Sequence, residues 1–97
     1  MITGKEAERI VAEVLHNKHP DRKVYSRGWG EDVEYYAPIV FTNPVPKGKP
    51  VYLVNKQTGE VEAYSYRPDR PIAARLEAMK VTKYLFRRVI IRPRRGA

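Results

Sequence analysis

The stretch Pro50–Tyr66, PVYLVNKQTGEVEAYSY, constrains this chain more than any other. It reads as two strands folded back on each other, Val51–Val54 and Val61–Tyr66, with Asn55–Gly59 as the bend. Asn and Gly accept positive φ at little cost, and longer hairpin loops often end on Gly in that conformation. Val and Tyr in the arms suit a pleated, half-buried surface. Alternation assigns Val51, Leu53, Val61 and Ala63 to the packed face, and Tyr52, Tyr64 and Tyr66 to the opposite one.

Upstream, Thr3–Glu6 has the form of a capping box that opens a helix. Ala7, Ile10, Val11, Val14 and Leu15 recur at helical spacing, with Glu6, Glu8, Arg9, Glu13 and Lys18 on the outer side. Asn17–Pro20 ends this helix, because the residue before proline avoids helical angles. A first strand starts in Asp21–Tyr25. Gly28 and Gly30 flank Trp29, the only tryptophan, which predicts a bulge or turn that seats a large ring. Val33–Phe41 alternates with period two and predicts a strand with its odd positions inward. Pro38 lacks an N–H and marks an edge strand or a bulge. Asn43–Pro50, with three prolines, is a loop.

After Tyr66, Asp69 reads as an N-cap and Pro71 as the first turn of a short helix. Ile72, Leu76 and Met79 carry that helix to about Lys80. Residues 81–91 alternate again and predict a final strand; the competing reading extends the helix to Arg88. Pro93 ends either one. Residues 93–97 read as a disordered basic tail behind a single domain, 1–92, with one core. The expected fold is α+β. A first helix packs on an antiparallel sheet of about four strands, followed by a short second helix, a C-terminal strand and the tail.

The chemistry is sparse. There are no cysteines, which removes disulfides, thiolates and Cys-based zinc sites and fits a cytoplasmic protein. Residues 1–19 lack the features of a signal peptide, and no stretch approaches the roughly 20 apolar residues of a membrane span. No membrane association is expected. His16 and His19 sit where the first helix ends, where positive charge is favoured; a zinc site needs more ligands. Glu31, Asp32 and Glu34 read as a solvated run, or as part of a protein-binding surface with the aromatics beside them. No phosphate loop or nucleophile motif is present. The chain is therefore expected to be no enzyme and to hold no cofactor or metal.

Two binding readings follow. The favoured one is a protein-binding module whose face is Trp29, Tyr35, Tyr36, Tyr52, Tyr64 and Tyr66, since tyrosine joins apolar area to a hydrogen-bonding tip. The alternative rests on charge. Of the net charge of +8, residues 80–97 hold seven basic residues and no acid, leaving 12 basic against 11 acidic residues in 1–79. Lys83, Arg87, Arg88, Arg92, Arg94 and Arg95 would then contact nucleic acid phosphates, without any known nucleic-acid-binding signature beside them. An exposed strand edge at 81–91 would let the chain pair with its own copy as a homodimer.

Met1–Leu15 (MITGKEAERIVAEVL), the Trp-bearing Gly28–Tyr36 and the hairpin Pro50–Tyr66 together resemble the YrhB-like family of small bacterial immunity proteins. The resemblance lies within residues 1–66. It implies a single α+β domain of bacterial or phage origin that binds and neutralises a toxin partner without catalysis of its own. Pro-Lys-Gly-Lys-Pro, residues 46–50, replaces the Gly-Asn-Gly-Pro-like approach usual in that family, and the segment after Tyr66 is additional. No individual contact residue carries over.

Overall fold

The computed structural model describes residues 1–43, 50–85 and 89–91. Among the described residues the elements are α1 (Gly4–Lys18), β1 (Lys23–Glu31), β2 (Tyr35–Asn43), β3 (Pro50–Asn55), β4 (Val61–Ser65), α2 (Pro71–Ala78), β5 (Lys80–Lys83) and β6 (Val89–Ile91). The strands form one antiparallel sheet in the order β4-β3-β2-β1, and β5 and β6 share the remaining edge of β1. The α+β class is as expected. The count rises to six strands because residues 81–91 are not one strand: the ladder on β1 is interrupted after Lys83 and resumes at Val89. The competing helical extension is overturned by the same pairing. The expected tail, 93–97, lies outside the described residues.

Helix α1 starts as the sequence predicts, with the Glu6 amide donating to the Thr3 hydroxyl at 3.1 Å. The Glu6 side chain reaches back to the cap, its carboxylate accepting from the Thr3 hydroxyl at 3.3 Å. Ala7, Val11, Ala12 and Leu15 are buried against Val24, Tyr36, Val40, Tyr52 and Val54 of the sheet. At the first turn Gly4 meets the Trp29 ring so closely that a Cβ would lie 2.1 Å from Cε2. The two glycines around Trp29 do mark a bulge. Arg27 and Gly28 together oppose Ile39, between the pairs Ser26–Val40 and Trp29–Pro38.

Helix α2 covers the other face of the sheet, where Ala37, Leu53 and Met79 are buried with Tyr35, Ile72 and Leu76 beside them. Its N-cap is Arg70, with no side-chain cap, so the expected role of Asp69 is not realised. Eight residues span only about 12 Å. Much of this face is therefore left open.

Two helices on opposite faces defeat the expected alternation. In β2 the even residues Tyr36, Val40 and Thr42 are buried toward α1, while Val33 is 93% exposed in the turn before the strand. In β3, Tyr52 packs on α1 and Leu53 faces α2, the reverse of the predicted assignment. Pro38 lies in the inner strand β2, but beside the bulge and where β2 has parted from β3, so both the expected bulge and a local edge are found there. The Asp32 amide donates to the Tyr35 carbonyl on the β1 side, and the Lys56 amide donates to the Glu34 carbonyl on the β3 side. Even-numbered backbone groups of β2 thus point at β3, and Pro38 has no N–H to offer there. The β2–β3 ladder ends at Tyr36–Val54. Beyond it lies a cleft of about 400 Å³, lined by Pro38, Phe41, Val51, Tyr66 and Leu76 among others.

Candidate functional site

The six aromatic residues expected to form one face are divided by the sheet. Trp29, Tyr36 and Tyr52 belong to the α1 side. Trp29 packs edge-on against Tyr84 at 6.3 Å between ring centroids. The Tyr36 hydroxyl donates to the Ile2 carbonyl at 3.2 Å, and Tyr52 is 4% exposed. These three serve packing. Tyr66 borders the cleft where β2 and β3 part. Tyr35 and Tyr64 remain together on the α2 side, because Tyr64 pairs with Val51 and so shares the face of Leu53.

Around these two tyrosines a polar array is built. The Tyr64 hydroxyl donates to the Glu62 carboxylate at 2.5 Å. Hydrogen bonds from Tyr64 first, then from Tyr35, hold the Glu62 carboxyl below its ordinary value. The same bonds raise both phenols. The Arg75 guanidinium lies over the Tyr35 ring at 4.7 Å and pairs with Asp32 at 2.8 Å and Glu34 at 3.5 Å. Asp32 also accepts from the Glu34 and Tyr35 amides at 2.9 and 2.8 Å, which shapes the turn between β1 and β2. The expected acidic run is thus divided: Asp32 and Glu34 serve Arg75, while Glu31 faces Lys56 at 3.8 Å. Beside the array a groove of about 510 Å³ is floored by Leu53 and Ile72 and flanked by Tyr64, Arg67 and Arg70.

Sequence reasoning missed Arg75 and Glu62. The available signal was positional: Arg75 follows Ile72 by three residues and stands beside the apolar stripe of α2. Burial alone would raise the Asp32 carboxyl, but hydrogen bonds from Arg75, Tyr35 and Glu34 outweigh it and leave the group below its ordinary 3.8. Its stabilising contribution is present above 3.8 and is lost as pH falls through the lower folded value. Asp32→Ala is expected to cost about 1–2 kcal/mol at neutral pH, discounted for partial exposure. Urea unfolding of both proteins should show that gap closing in acid.

A second polar cluster was also misread. Glu8, assigned to the outer side of the helix, is 7% exposed. It accepts from the Ser26 hydroxyl at 2.6 Å and from the Tyr84 hydroxyl at 2.8 Å. Its spacing to Ala12 and Leu15, four and seven residues on, was the readable clue. Ser26 beside a carboxylate has the composition of an activated nucleophile, but its relative exposure is 0%, so no substrate atom reaches it in this conformation.

His16 turns inward at the end of α1, with Nε2 3.1 Å from the Ile91 carbonyl. Among the described residues no group of three or more His, Cys, Asp or Glu side chains is placed to hold a metal ion. No described helix is long and apolar enough to cross a membrane. Of the proposed nucleic-acid residues Lys83 is exposed on β5; Arg87, Arg88, Arg92, Arg94 and Arg95 lie outside the described residues. No family model matches the chain, and neither a curated protein nor a solved structure matches it.

Proposed function

We propose that this chain is a small non-enzymatic protein-binding module whose working face is the α2 side of the sheet. The observation that carries the reading is the array Tyr64–Glu62–Tyr35–Arg75 beside an apolar groove. Tyr and Arg are the residues on which binding energy concentrates, and here they are held in place by hydrogen bonds before any partner arrives. An immunity or inhibitor role, as the resemblance of residues 1–66 implies, is the form of binding proposed.

The test is reciprocal capture from the native host, followed by affinity measurement on the recovered partner. Tyr64→Ala and Arg75→Ala are each expected to weaken binding about tenfold, equivalent to about 1.4 kcal/mol. Tyr64 is 38% exposed, so its variant should keep the thermal midpoint of the parent. A partner bound with undiminished affinity by both variants would remove this face from consideration. The nucleic-acid alternative is supported by the seven basic residues in 80–97. Heparin retention in a salt gradient measures it directly, and no retention at low salt would end it.

A further inference from the structure

We infer that β4 pairs with β4 of a second copy about a two-fold axis at Ala63, making one continuous sheet. Strand β4 is the terminal strand, paired only with β3. The direction of its backbone groups follows from the hairpin. The Asn55 amide donates to the Glu60 carbonyl, so even-numbered groups of this arm point at β3. The N–H and C=O groups of Val61, Ala63 and Ser65 therefore point outward, where no described residue pairs with them.

An antiparallel edge pair about a two-fold perpendicular to the sheet keeps each side chain on its own face. Only residues of equal parity can then oppose one another. Centring the axis on Ala63 uses the whole strand. Ala63 opposes Ala63 of the second copy, and Val61 opposes Ser65, all as hydrogen-bonded pairs. The smallest side chain of the strand falls on the axis. On the α2 face Glu62 opposes Tyr64 of the second copy rather than Glu62, so the like charges stand on a diagonal.

The expectation from sequence placed the self-pairing edge at 81–91. That edge is interrupted between β5 and β6 and carries Lys80 and Lys83, whereas β4 is continuous. A five-residue strand pair is a small interface, so the dimer is a weak one that depends on concentration. It also leaves the two α2 faces on the same side, with both Tyr64 residues at the seam.

Sedimentation equilibrium over a concentration series tests the pairing. The expected result is a mass rising from 11.3 kDa toward twice that value. Ala63→Pro removes only an outward N–H and no β3–β4 bond, so it should keep the fold by circular dichroism and abolish the rise. Because the chain has no cysteine, Ala63→Cys and Ser65→Cys then read the register. Opposed Cα atoms in a hydrogen-bonded pair lie about 5.5 Å apart, within disulfide reach. Oxidation should link Ala63→Cys at least tenfold faster than Ser65→Cys. A mass fixed at one chain across the series overturns the dimer. Equal linking rates, or a folded Ala63→Pro that still dimerises, overturn the β4 pairing.

Discussion

Gly28→Val is expected to destabilise the chain more than any other substitution outside the core. Gly28 holds φ at +128°, and a Cβ there would stand 2.0 Å from the Thr82 carbonyl oxygen and 2.9 Å from the Lys83 Cα. Both obstacles are backbone of β5, which pairs directly with this part of β1. No rotamer relieves them, so β5 must move away. Strain at a glycine-only conformation and overpacking together cost roughly 3–5 kcal/mol, a large part of the stability of a domain this size. The loss does not end at β5. The Tyr84 amide donates to the Arg27 carbonyl, and Tyr84 packs on Trp29. A displaced β5 therefore loosens the contact between the sheet and α1. The thermal midpoint should fall by about 20 °C, with a change in Trp29 fluorescence before global unfolding. Gly59→Ala provides the contrast. Gly59 has φ +77° but no crowding, since an added Cβ would meet only Ile10 Cδ1, at an ordinary contact distance of 3.8 Å. Only the conformational penalty of roughly 1 kcal/mol applies there. Equal costs at the two glycines would show that β5 yields easily and that the bulge does not anchor it.

What could be read from the sequence, and what could not, divides along this sheet. The hairpin of β3 and β4, the cap at Thr3 and the Trp29 bulge were legible because each is written in local residue preferences. The assignment of faces was not. Alternation reports a face only when one side is solvated, and here α1 and α2 each cover part of one side. Tyr52 and Leu53 are adjacent and both buried, which a period-two reading cannot represent. Tyrosine adds to the ambiguity, since it is equally suited to the core position of Tyr52 and the exposed one of Tyr64. The proposed binding face was accordingly half legible: Tyr35 and Tyr64 survive as neighbours and Glu62 stands two residues before Tyr64 on the same face of β4, while Arg75 joins them only because α2 lies over Tyr35 of β2, a placement that spacing does not encode. Glu8 was obscured by its charge, although its position relative to Ala12 and Leu15 was correct for burial.

Glu8 provides the second large effect. Its carboxylate is enclosed with two hydroxyl donors, Ser26 on β1 and Tyr84 after β5, so it ties α1 to both. Removing an acceptor strands its donors, and the desolvation penalty of the stranded groups exceeds the net worth of the bonds. Glu8→Leu is therefore expected to cost roughly 3 kcal/mol. The double variant Glu8→Leu, Tyr84→Phe removes the acceptor and the phenol together, while the Ser26 hydroxyl still accepts from the Gly28 amide at 3.1 Å and turns its proton to the Gly28 carbonyl at 3.4 Å, and it should return to within about 1 kcal/mol of the parent. Additive losses across the two changes would contradict this account, because each side chain would then be acting through its own packing. The cluster also has a signature in base. Burial first, then the hydrogen bond to Glu8 and repulsion by its carboxylate, push the Tyr84 phenol well above its ordinary value of 10.0. A raised value means that the contribution is complete below 10.0 and is lost as pH rises toward the folded value. Tyr84→Phe lacks a proton to lose at that position. Unfolding measured below and above 10.0 should show the stability gap between parent and Tyr84→Phe narrowing in base, while Tyr35 and Tyr64, on the open face of both proteins, cancel from the difference.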